Sequence, residues 1–182
     1  MSTLKIPELK KELKELDKKE LIKLITELYK LNKDVKQFVS LKYNREELVN
    51  ELYEEAKVKI ENEFFPERSM PKLRLKEAKN AINRFKKLTE DEFKTLDLML
   101  FYVENGVEFT VSFGDIDENF YGSMVNMYDH VVDKCIDNEN YYQTFAKRLE
   151  DVVEDTGGVG WGFHDALTDI YYSIPYIMED NP

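Results

Sequence analysis

An imidazole beside carboxylates is the residue set that moves protons near neutral pH, and this chain places His164 next to Asp165 with Asp169 four residues further on. The same segment holds the sole tryptophan, Trp161, and four of the seven glycines, Gly157, Gly158, Gly160 and Gly162. If one helix stops before the glycine run and another starts after it, His164, Thr168 and Tyr171 share a row beside Asp165, Asp169 and Tyr172. Rings interleaved with polar groups suit a ligand groove or a hydrogen-bond network closed inside the fold. The binding set expected from sequence is therefore Trp161, His164, Asp165, Thr168, Asp169 and Tyr172, with Asp115 and Asp117 from an earlier acidic turn closing over them.

Other chemistries find little support. The glycines do not follow a strand in G-x-G-x-x-G spacing and no Lys-Ser or Lys-Thr follows them, so neither a dinucleotide fingerprint nor a P-loop is present. Glu154 and Asp155 would also repel a phosphate there. A helix stop and a sharp reversal with close packing explain the glycines without a ligand. Asp115, Asp117 and Asn119 begin like a calcium loop, but Phe120 replaces the turn glycine and Asn126 the bidentate glutamate. A composite of Asp115, Asp117, His130, His164 and Asp165 has ligand chemistry without ligand spacing, and no metal or cofactor is assigned. Ser112, Ser123 and Ser173 lack a nucleophile context, and Cys135 falls on an apolar helical stripe, as a buried thiol does.

Charge divides the chain. Residues 1–94 carry 23 Lys and Arg against 19 Asp and Glu, whereas residues 95–182 carry 3 against 18, within a net charge of −11. The carboxyl-terminal half should repel nucleic acid and attract a partner with a basic surface, or imitate nucleic acid itself. No apolar run approaches the roughly 20 residues that span a bilayer, and no secretory leader is visible at the amino terminus. With a single cysteine, these features fit a cytoplasmic protein.

The elements that position these residues read as helices. Apolar residues recur at spacings of three and four through nearly every segment, predicting an all-α single domain of about eight helices. A helical hairpin subregion spans 1–43 and a main body 44–182. Helix starts are expected at Asp17 with Glu20, at Asp34, at Asn44, at Thr89 with Glu92, at Asp117 and at Glu139. Gly106 is expected to stop a helix, and the alternation of Val107, Phe109, Val111 and Phe113 predicts one extended segment near 107–113.

Several stretches together resemble a bacterial family known only as a domain of unknown function: Leu13 to Tyr29, "FFPER" ending at Arg68, "YVENGVEF" at Tyr102 to Phe109, "GDID" at Gly114 to Asp117, and "GWGFHDALTDIYY" at Gly160 to Tyr172. The resemblance covers nearly the whole chain and implies a cytoplasmic single-domain protein, with no activity or cofactor attached. Leu4 to Ile25 is also similar to two-helix SAP and Rho-type nucleic-acid modules, with only Leu16 and Asp17 between its helices. The leading expectation is a non-catalytic interaction module whose acidic half docks a basic partner. One alternative is a ligand-binding or hydrolytic enzyme centred on Trp161, His164 and Asp165; another is nucleic-acid contact through the Lys-rich first helices.

Overall fold

The structure, a computed structural model, describes residues 3–178. Every regular element among them is helical: α1 (Ile6–Glu15), α2 (Lys18–Leu31), α3 (Lys33–Ser40), α4 (Arg45–Phe64), α5 (Leu75–Thr89), α6 (Glu92–Phe113), α7 (Glu118–Asp137), α8 (Glu139–Asp155), α9 (Phe163–Tyr171), and a 3-10 turn over Pro175–Met178. The all-α expectation holds, and the helices gather into two compact units, residues 1–49 and 50–182.

Short-range chemistry sets most helix starts. Asp17 accepts from the Glu20 amide while Glu20 accepts from the Asp17 amide, both at 2.8 Å, which is the reciprocal box that their spacing predicts. Asp117 caps α7 through the Phe120 amide at 2.9 Å. Two starts differ from expectation by a residue or two. Asn32, not Asp34, caps α3, with the Asp34 amide at 2.7 Å, and Asp91, not Thr89, caps α6. Thr89 instead ends α5, where its hydroxyl donates to the Phe85 carbonyl at 2.9 Å.

In the first unit the helices α1 to α3 are strongly amphipathic, yet none of them buries a residue fully. Ile6, Ile22, Ile25 and Leu31 are all more than half exposed.

The second unit is built around α6. α4 runs parallel to it, because Tyr53 meets Asp97 near one end and Phe64 meets Tyr102 and Phe109 further along. α5 returns antiparallel to α4, and the link between them is pinned by Glu63, which is 5% exposed. Its carboxylate accepts from Arg74 Nε at 3.0 Å, Arg74 Nη2 at 2.7 Å and the Arg74 amide at 3.1 Å. Burial alone would raise the Glu63 pKa, but the Arg74 bonds outweigh it and hold the carboxyl below its usual range. α7 runs back along α6, and α8 is again parallel to α6, with Phe93 stacked on Phe145 at 5.2 Å and Arg148 reaching Glu104.

The extended segment near 107–113 is not found: α6 continues as helix to Phe113, and Gly106 lies inside it. Val103, Val107 and Thr110 fill one buried row and Tyr102, Asn105 and Phe109 another. A helix buried on two faces places apolar residues two apart without being a strand. Val111 and Phe113, which complete the apparent alternation, are 56% and 64% exposed. Gly106 serves packing rather than termination, since a Cβ there would lie 2.3 Å from Met124 Sδ on α7.

Candidate functional site

After Thr156 closes α8, the chain turns through left-handed geometry at Gly158 (φ 96°), Trp161 (φ 64°) and Gly162 (φ 68°), and α9 begins. Glycine tolerates that region, whereas a tryptophan held there costs about 1–2 kcal/mol. The strained residue is also displayed, 70% exposed. Gly160 faces the 114–117 turn, where a Cβ would lie 3.7 Å from the Asp115 carboxylate. The acidic turn and the glycine run therefore meet at Asp115 and Gly160.

What holds the turn in place is a hydroxyl relay. Tyr121 Oη donates to Asp115 Oδ1 at 3.1 Å, accepts from the Ile116 amide at 3.2 Å and lies 2.8 Å from Thr110 Oγ1. Its ring packs 4.7 Å from that of Phe163 at the start of α9. Asp117 is spent on capping α7.

His164 turns toward α8. Its Nδ1 lies 3.1 Å from Thr156 Oγ1, whose single hydrogen is directed at the Val153 carbonyl 2.8 Å away. Asp165, Asp169 and Tyr172 are exposed, and neither aspartate bonds the imidazole. Thr168 Oγ1 is sealed from solvent, with no hydrogen-bond partner among the described residues. Among the described residues no three metal-capable side chains come together.

The sequence reading missed a groove between α6 and α8, on the flank where these parallel helices run toward the glycine run. Glu104 and Glu108 form one wall, Asp151 and Asp155 the other, and Val107, Val111 and Val152 the floor, around a cavity of about 420 Å³. Its signal lay in the pattern, since each helix carries its acids four residues apart and so on one face.

At the end of the groove Arg148 joins the helices, donating to Glu104 from Nε at 2.6 Å and Nη2 at 2.8 Å and to Asp97 from Nη1. Tyr53 completes the cluster by donating to the other Asp97 oxygen. Burial works against the guanidinium charge here, but its bonds to Glu104 and Asp97 prevail and raise its pKa. For Tyr53, burial and the Asp97 bond both raise the phenol pKa, so it stays protonated. Lys147, the other cation nearby, lies between Glu150 and Asp151, both at 3.0 Å. Glu108 and Asp155 have no cationic partner among the described residues.

No helix among the described residues is long and apolar enough to cross a membrane. No curated protein and no solved structure gives a significant match to the chain. A family model does: it spans residues 4–174, covering every helix from α1 to α9, and the chain belongs to DUF6155, a family of unknown function.

Proposed function

We propose that the protein is a non-catalytic interaction module that docks a Lys- or Arg-rich amphipathic segment of a partner protein in the α6/α8 groove. The observation that carries this reading is the groove itself, with carboxylates on both walls above a valine floor. A basic helix with one apolar row matches both features, because its aliphatic side chains leave water over the valines while its cations meet Glu108 and Asp155. The exposed Trp161 stands at the same end of the unit, since neighbouring Gly160 faces Asp115 just beyond the groove residue Ser112. A rigid, displayed indole is a typical anchor at protein interfaces.

The reading is tested with the full chain and a synthetic Lys/Leu amphipathic peptide, followed by Trp161 fluorescence and calorimetry. The double reversal Glu108→Lys/Asp155→Lys should weaken binding at least ~10-fold, and added salt should weaken it further as screening shortens. Asp129→Lys/Asp133→Lys on α7 controls for bulk charge. If the two double variants lose affinity equally, the groove is not the site. Trp161→Gly separates anchor from scaffold. Relief of the left-handed strain should raise stability by about 0.5–1 kcal/mol while peptide binding falls.

A further inference from the structure

On the opposite flank of α6 the charge pattern reverses. Between α5 and α7 lies a shallow cavity of about 350 Å³ that no carboxylate lines, although this unit is strongly acidic. Lys79 and Lys86, seven residues apart on α5, face Ser123, Asn126 and His130 on one row of α7, and Met99 of α6 forms the floor. Neither lysine is ion-paired among the described residues. Glu92, the carboxylate that feels the charge of Lys86, is taken by Lys134 at 3.1 Å.

The back of the cavity is ordered by hydrogen bonds. Tyr102 is fully buried, its phenol pushed up to about 12 by burial, and its Oη lies 2.8 Å from Ser123 Oγ. Lys79 Nζ donates to the same oxygen at 3.0 Å. Ser123 Oγ accepts from Lys79 and shares a second hydrogen bond with Tyr102 Oη, which fixes the hydroxyl at the back of the cavity. The lining thus presents two ammonium groups, a hydroxyl, an amide and an imidazole. Each of its polar side chains can donate, and none is a carboxylate.

From this arrangement we infer that the α5/α6/α7 cavity is a binding site for the phosphate group of a small phosphate monoester. Two cations match its charge, the Ser123 and Asn126 donors fix its oxygens, and the Met99 and Met127 surfaces accept the carbon skeleton. The inference does not depend on the groove reading, since the two sites share no residue.

The test uses the full chain and inorganic phosphate as the probe, at constant ionic strength, following the His130 imidazole and Ser123 amide resonances. Both should shift saturably, with a dissociation constant tighter than about 10 mM. Lys79→Gln and Lys86→Gln should each weaken binding ~10-fold, the effect of losing one charge-assisted hydrogen bond. Lys87→Gln, which removes a lysine outside the cavity, should leave binding unchanged. Lys86 is exposed, so its variant remains informative even if Lys79→Gln disturbs folding. No saturable shift, an equal response to acetate, or an equal loss in Lys87→Gln would overturn the assignment.

Discussion

Replacing Arg148 by methionine should weaken the fold and strengthen partner binding at the same time. The guanidinium makes two bonds to Glu104 and one to Asp97, with 33% of its side chain exposed. A charge-assisted bond that is fully buried contributes roughly 1.5–3 kcal/mol, and an exposed ion pair about 0–1 kcal/mol. Two-thirds burial and bonds that are not independent place the loss at about 2–3 kcal/mol, because Asp97 and Glu104 are left facing each other without a cation. For a chain of this size that corresponds to roughly 5–10 °C in Tm.

The same change removes a positive charge from the end of an anionic groove. At about 8 Å in a solvated setting one charge is worth about 0.5 kcal/mol, or about a twofold gain in affinity for a basic peptide. Urea denaturation of Arg148→Met, Asp97→Asn and the double variant, read by circular dichroism, gives the coupling directly. The peptide titration gives the second sign. Unchanged stability with zero coupling, or affinity that falls along with stability, would refute the reasoning.

Two further outcomes follow from packing and charge elsewhere. Glu63 has a depressed pKa in the folded state, so its contribution to stability is complete above the unfolded value near 4.5 and is lost as pH falls through the lower folded value. Glu63→Gln should therefore flatten the acid limb of a stability profile measured by denaturant titration, with little effect on the salt dependence of peptide binding. Gly106→Val must place carbon where Met124 Sδ now sits, 2.3 Å from the ideal Cβ, and overpacking of that kind costs about 1–3 kcal/mol even after a helix interior loses its glycine. A lowered urea midpoint, partly restored by Met124→Ala, is the expected result.

The turn before α9 was legible because it rests on local chemistry. The glycine run between two periodic stripes foretold a helix stop and reversal, and the capping propensity of Asp117 foretold the start of α7. The stripe through Phe120, Met124, Tyr128, Val131 and Cys135 was readable for the same reason, and all five are buried. Burial also pushes the Cys135 thiol up to about 11, in keeping with an unreactive core position. The polar row on α9 was legible as a row, but not its direction. His164 bonds backward to Thr156, a partner that becomes a neighbour only when the glycines reverse the chain.

Helix positions, their caps and the charge imbalance between the two halves are properties of short windows and of composition, and the sequence by itself determined them. The continuation of α6 through Gly106 was decided by tertiary structure, because a glycine stops an isolated helix but serves close packing once Met124 lies against it. So were the groove and the cavity. Glu108 and Asp155 are 47 positions apart, and so are Lys79 and Asn126. No periodicity links residues so distant; only the parallel seating of α6 beside α8 brings Glu108 and Asp155 to one groove, and only the parallel packing of α5 and α7, both antiparallel to α6, sets Lys79 and Lys86 beside Ser123 and His130.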